Sequence, residues 1–295
     1  MALKKERNAV ILAHNYQVGE IQDVADLCAD SLRLAQYAAK TPADVILLCG
    51  VHFMAETASI LCPDKKVLVP DLEAGCSLAN MVNTKVLQQW KEDHPDVVVV
   101  AYVNTSAAVK ALSDYCCTSS NAVKVVESIP SDKEILFIPD FFLGRFVQEK
   151  TGRKIHLWPG YCTIHARIKT ADIQNLREKH PRAEFLMHPE CGCMTSSMHF
   201  ADRILSTEGM INYAKESDAD EFIIATETGI LHRLQKDNPK KIFYPAAGNA
   251  VCEHMKRNTL EKVAESLEKL QYEVKVPRDL AEKARLPIER MVKIT

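Results

Sequence analysis

Three stretches of the chain repeat one another, each running from a basic residue through a hydrophobic segment into a Pro/Gly loop that ends on a cysteine. They are KKVLVPDLEAGC to Cys76, RKIHLWPGYC to Cys162 and KKIFYPAAGNAVC to Cys252. Their starts, Lys65, Arg153 and Lys240, lie 88 and 87 residues apart. Three thiols so distant in sequence can meet only if three units face a common centre, and three thiolates at one point imply a metal.

The repeat extends upstream in three further pieces. The first is an apolar strand: AVILAHNY to Tyr16, VVVVAYVN to Asn104, EFLMHPE to Glu190. Aligning Ala13, Ala101 and Met187 superimposes His14, Tyr102 and His188, and two residues later Tyr16, Asn104 and Glu190. A helix with a hydroxylic start follows, at Ser31, Ser119 and Ser206, and then a second apolar strand with its helix. A period near 87 residues is too long for a solenoid repeat and long enough for a small domain. Runs of Val, Ile and Leu without polar alternation suit strands buried on both faces of a parallel sheet. Three small α/β sandwiches of about three strands each are expected, over residues 1–80, 81–168 and 169–257. The remaining helical tail, 258–295, is interrupted at Pro277 and Pro287, has no counterpart elsewhere, and is expected to pack on the first unit.

Composition narrows the function. With 37 Lys+Arg against 39 Asp+Glu there is no electrostatic reason to expect nucleic acid as a partner. The apolar run from Val97 to Val103 is only strand length, and the N-terminus lacks a signal-peptide core, so neither a membrane span nor export is expected. Ten cysteines without an export signal fit a reducing, cytoplasmic setting in which thiols bind metal or lie buried. Cys28, Cys49 and Cys62 read as small buried hydrophobes, and Cys116 and Cys117 as structural neighbours. Cys191 and Cys193, in HPECGC, are rival ligands by their C-x-C spacing, set against a passive structural role, which the sequence favours, and a regulatory thiol or disulfide.

HNYQ, DSL, GVHFMAETA, DLEAGCSLAN, YVNTSAAVKALSD, TSSNAVKVV, WPGYCTIH, HPEC, STEGMI and Cys252-Glu-His-Met-Lys256 together resemble the quinolinate synthase family, collinearly over almost the whole chain. The resemblance implies three similar αβα domains with short parallel sheets, related by a pseudo-threefold axis around a central cavity. It also implies a 4Fe-4S cluster held by Cys76, Cys162 and Cys252, the same three the repeat selects. Three protein ligands would leave one iron open as a Lewis acid. The implied reaction condenses iminoaspartate with dihydroxyacetone phosphate to quinolinate, and aspartate oxidase would be the functional neighbour that supplies the imine. HPECGC departs from the family's simpler HPEC pattern.

Polar groups at the carboxyl ends of parallel strands are where α/β sheets bind ligands. His14, Tyr102 and His188, with Tyr16, Asn104 and Glu190, are therefore expected to converge on the substrates. Following the family motifs, Ser119, Ser206 and Thr207 would hold phosphate, and His14 and Ser31 a carboxylate, at helix starts whose free amides suit anions. Glu190 is expected to be the general acid and base, because a carboxyl group in a water-poor cavity has a raised pKa. Tyr16 would relay protons, and Tyr102, Asn104 and His188 would position the intermediate. Another cluster-dependent dehydratase of small carboxylic acids, a non-enzymatic iron–sulfur sensor, or mononuclear zinc on the three cysteines are the alternatives. Either a monomer or a homodimer is compatible with the sequence.

Overall fold

The computed structural model describes residues 2–294; Met1 and Thr295 lie outside it. Twelve strands form three separate four-stranded sheets, all parallel within each sheet. The first contains β1 (Ala9–His14), β2 (Leu27–Ala29), β3 (Val45–Cys49) and β4 (Lys66–Leu68), in the order β2-β1-β3-β4. The second repeats that order with β5 (Val98–Tyr102), β6 (Tyr115–Cys117), β7 (Ile135–Ile138) and β8 (Ile155–Leu157). So does the third, with β9 (Glu184–Met187), β10 (Arg203–Ile204), β11 (Glu221–Ala225) and β12 (Ile242–Pro245). Helices flank every sheet, giving the three α/β sandwiches that the apolar runs imply.

Each sheet has one strand more than expected. β2, β6 and β10 are two or three residues long, too short to leave an apolar run. Their register exposes equivalences that spacing hid. Ala13 pairs with Cys28, Ala101 with Cys116 and Met187 with Ile204. Cys28 therefore does have a repeat partner, Cys116, and Thr207 rather than Ser206 is the counterpart of Ser31 and Ser119. The basic residue before the last strand shifts likewise. Lys65 and Arg153 bond carbonyls at the end of the preceding helix and loop (Thr41 and Ala43; Ile129, Pro130 and Lys133), and in the third unit Lys241, not Lys240, does this to Ala214 and Ser217.

The first sheet is buried on both faces. Ile11, Ala13, Val45, Leu47 and Cys49 point to one side, where Val263 and Leu267 of the helix Leu260–Lys269 cover them. The alternate residues Val10, Leu12, Ile46 and Leu48 join an apolar core continuous with those of the other two units. The tail thus closes the first sheet with its first helix. Its second, Arg278–Lys293, lies against helices 31–40 and 52–61 of the first unit and against β6 and helix 107–110 of the second. Pro277 precedes this helix, but Pro287 sits inside it. Proline deletes one intrahelical hydrogen bond, while burial of Ala284, Pro287, Ile288 and Met291 along one face keeps the helix continuous.

Gly160 fixes how the Cys162 loop leaves β8. Its carbonyl accepts from Phe141 N–H at 2.7 Å, and a Cβ there would stand 2.4 Å from the carbonyl oxygen of Pro139. Backbone on both sides leaves little room to relax, so Gly160→Ala is expected to cost ~3 kcal/mol by overpacking. Anaerobic urea unfolding checks this; an unchanged midpoint would show that the loop yields freely.

Candidate active site

Parallel order places the carboxyl ends of all strands of a sheet at one edge, and the three edges face one central cavity lined from all three units. His14 and Tyr102 end β1 and β5, and His188 follows β9 directly. All three line the cavity, as do Tyr16, Asn104 and Glu190, the hydroxyl residues Ser31, Ser119 and Thr207, and Cys76, Cys162 and Cys252. Ser206 does not line it. Its Oγ accepts from Gly209 N–H at 3.2 Å and caps the helix Thr207–Glu216, as Asp30 caps the helix Ser31–Lys40 from Arg33 N–H. Of the two adjacent residues expected at the phosphate, Ser206 therefore stands outside the lining, while Thr207 lines the cavity at the place that matches Ser31. The helix after Ser119 begins only at Ala122 and is six residues long, so Ser119 precedes a turn rather than opening a helix.

The same local fold orients the two strand-end imidazoles. Tyr16 N–H donates to His14 Nδ1 at 3.1 Å, and Glu190 N–H donates to His188 Nδ1 at 3.3 Å. An Nδ1 that accepts from an amide leaves the proton on Nε2, so each ring presents Nε2–H; that of His188 reaches Ser119 Oγ at 3.1 Å. Burial first, then Lys256 and His165, lowers the His14 pKa to about 3. Burial holds His188 well below the ordinary range too. These rings are neutral donors.

Glu190 is 3% exposed. Asn104 Nδ2 lies 3.4 Å from its Oε1, and His188 Nδ1 and His165 Nδ1 lie 3.4 and 3.6 Å from its Oε2. Burial, reinforced by Asp140 and opposed by a hydrogen bond from Tyr102, raises its pKa well above the carboxylate range. Burial, then Glu190, does the same to the phenols of Tyr16 and Tyr102. Burial thus favours the protonated form of all three groups.

Each cysteine precedes a short 3₁₀ turn: Ala79–Met81, His165–Arg167 and Met255–Arg257. Burial raises the thiol pKa in every case, to about 12 at Cys76. Opposing it are the same two amides each time: Ala79 and Leu78, His165 and Ile164, Met255 and His254. The same two positions of the turn thus favour the thiolate form in every unit.

Several residues at the site went unread in the sequence. His165 puts Nδ1 3.2 Å from Cys162 Sγ, and Nε2 2.9 Å from Thr226 Oγ1 and 3.3 Å from the Tyr16 hydroxyl. Neither His165 nor Thr226 has a repeat counterpart of like chemistry, so no internal signal marks them. Asp140 and Glu227 did carry one. Both stand two residues beyond their unit's third strand, where the first unit has Val51. Glu227 Oε1 accepts from Cys252 N–H and from the Lys256 ammonium, each at 2.9 Å, and Oε2 from Gly229 N–H at 2.6 Å. Asp140 caps the helix Phe141–Thr151 through Leu143 N–H at 2.7 Å. Burial raises its pKa to about 7 against the pull of the Leu143, Cys162 and Phe142 amides. Glu227 thus bonds its unit's cysteine loop directly, whereas Asp140 Oδ2 has no hydrogen-bond partner among the described residues.

Three related sandwiches enclosing one donor-rich, cysteine-bearing cavity define an α/β enzyme whose site is assembled from all three units. The model of the NadA family, quinolinate synthetase A protein, matches residues 1–293. Quinolinate synthase of Thermus thermophilus is 55% identical over 100% of this chain and 96% of its own length. Those of Pyrobaculum aerophilum and Dehalococcoides mccartyi are 54% and 53% identical, each over 99% of this chain and 97% and 96% of their own. The chain belongs to the quinolinate synthase family.

Glu227→Ala would leave two amides and the Lys256 ammonium unpaired beside Cys252. Losing one partner of a buried pair costs about 3–5 kcal/mol, and the lower figure is expected because the Lys256 side chain is 22% exposed. Glu227→Gln, which keeps an acceptor for the Cys252 amide, should cost less. Urea unfolding of the two variants measures the difference; equal losses would mean that charge alone matters at this position.

Proposed function

We propose that this chain condenses iminoaspartate with dihydroxyacetone phosphate to quinolinate, with loss of phosphate and water, on a 4Fe-4S cluster ligated by Cys76, Cys162 and Cys252. The observation that carries this reading is the cavity itself: one cysteine from each unit, beside polar strand ends from all three.

The donor set fits such a cluster. Buried thiolates are helped by nearby N–H groups, and turn amides pull each of these thiols toward the thiolate. The spacing does not match a single tetrahedral ion. Zinc with Zn–S bonds of about 2.3 Å in a tetrahedron would hold its sulfurs about 3.8 Å apart. Among the described residues, the potential ligand atoms that lie within 4.8 Å of one another are those of His165, His188 and Glu190, not of the three cysteines. When bound, the cluster supplies an iron with an open position, able to polarise a carbonyl or hydroxyl group.

The chain's own residues supply the rest. His14 Nε2–H, Ser31 and Thr207 hydroxyls, and the phenols of Tyr16 and Tyr102 offer hydrogen-bond donors to substrates that are anionic and rich in acceptor oxygens. Thr207 Oγ1 is oriented by Asn15 Nδ2 at 3.0 Å, and Ser119 by His188. Glu190, whose protonated form burial favours, begins as a general acid toward a departing hydroxyl group. Having given up its proton, it becomes the base for the next transfer, with Asn104, Tyr102 and His188 holding it in place. Tyr16, 2.5 Å from Thr226 Oγ1, has a hydroxyl fixed in direction and able to pass a proton. Among the described residues no helix is long and apolar enough to cross a membrane. A cytoplasmic enzyme receiving its unstable imine from aspartate oxidase fits this reading.

Anaerobic reconstitution followed by measurement of iron, sulfide and quinolinate formation tests the proposal. Replacing any one of Cys76, Cys162 or Cys252 by Ala should abolish cluster retention; full iron content in all three variants would remove them as ligands. Glu190→Gln should retain iron while turnover falls by about 10²–10⁴. Normal turnover in that variant would exclude Glu190 from proton transfer.

A further inference from the structure

HPECGC carries two thiols for which the reaction has no use. Cys191 Sγ and Cys193 Sγ lie 3.0 Å apart in hydrogen-bond contact, and Cys193 Sγ lies 3.6 Å from Met187 Sδ. Cys191 is fully buried, whereas Cys193 keeps 3% exposure. We propose that Cys191 and Cys193 are a modification site: a dithiol that closes to an intramolecular disulfide with a small disulfide oxidant, and in closing displaces Glu190.

The step balances without any group beyond the oxidant. The Cys193 thiolate attacks one sulfur of the oxidant, whose S–S bond breaks and releases a first thiolate. Cys191, losing its proton, then attacks the Cys193 sulfur and expels the second. Two protein thiols are oxidised and one disulfide is reduced to two thiols. The attacking role falls to Cys193 because it retains solvent access. Its hydrogen bond with Cys191 also holds its pKa below the usual thiol range, against burial, and Ser197 adds to this, while burial pushes Cys191 well up.

The geometry ties closure to the reacting carboxyl group. A disulfide bond is about 2.05 Å long, so the sulfurs must approach by about 1 Å. Gly192, between the two cysteines, is held in place: its N–H donates to His165 O at 3.2 Å, and a Cβ on it would lie 2.8 Å from Ala166 Cα. The approach must therefore be made by the cysteines on either side of it, and Cys191 is joined directly to Glu190. A ring closed across a single intervening residue is strained, and strained bridges are readily reduced, so the modification is reversible. The bridge itself is independent of how the reaction is read; its effect on turnover rests on Glu190 as acid and base.

Trypsin isolates the pair, because cleavage after Arg182 and Arg203 gives a peptide, 183–203, whose only cysteines are these two. The reconstituted holoenzyme is treated anaerobically with hydroxyethyl disulfide, unfolded in iodoacetamide and digested. We expect peptide 183–203 to be two hydrogens lighter and free of alkylation. Quinolinate formation should fall by about 100-fold, the scale for a misplacement of about 1 Å, with iron and sulfide unchanged and activity restored by dithiothreitol. Cys193→Ser should keep its turnover through the same treatment. Two alkyl groups on peptide 183–203 of the treated enzyme would overturn the site, and equal loss of turnover by Cys193→Ser would overturn its link to Glu190. If the reduced enzyme makes no quinolinate at all, the reading of the reaction fails while the peptide mass still decides the bridge.

Discussion

Strands that run in one direction expose all their carboxyl ends at a single edge of a sheet, and everything that matters in this molecule hangs from such edges. Each unit has the order in which the first strand lies between the second and third, so that the chain reverses its direction of winding beside β1, β5 and β9. A crevice opens at that reversal, and the first residues beyond it are His14, Tyr102 and His188. The loop after each outermost strand carries the cysteine to the same edge. Three such edges turned toward one another leave a cavity that no single unit could enclose.

Enclosure then sets the electrostatics. Removing His14, His188, Glu190, Tyr16 and Tyr102 from water disfavours every charged form. The imidazoles become neutral donors and the carboxyl group an acid. A cavity lined this way is poor in fixed charge and rich in N–H and O–H groups, which suits substrates that bring their own negative charge. The thiols face the same penalty, and the paired amides of the 3₁₀ turns are what the fold sets against it. Lys256, held by Glu227, bonds the Tyr16 carbonyl with its ammonium and so joins the third unit's cysteine loop to the first unit.

Legibility followed the strength of the local signal. Long apolar runs marked nine strands, and the matched strand ends identified six cavity residues together with three cysteines. β2, β6 and β10 left no trace, because two or three residues give no periodicity and, unlike the equally short β4 and β8, they lead into no cysteine loop. Spacing alone also slipped by one residue where similar side chains adjoin: Ser206 beside Thr207, and Lys240 beside Lys241. Only hydrogen-bond register separates the member of each pair that caps or trails from the one that holds the equivalent place. Pro287 reads as a break, yet packing of one helical face outweighs the lost hydrogen bond.

The sequence by itself determined the triplication, the α/β class and the identity of the converging thiols, because each is written in local order: a repeat, an apolar run, a residue at a strand end. What tertiary structure alone decided is the set of contacts between units. His165 against Cys162 and Tyr16, Thr226 against Tyr16, and Asn15 against Thr207 join residues distant in the chain. Such contacts have no period and no motif, since they depend on how three finished sandwiches pack. The protonation of Glu190 belongs with them, because burial is a property of the assembled cavity and not of any stretch of chain.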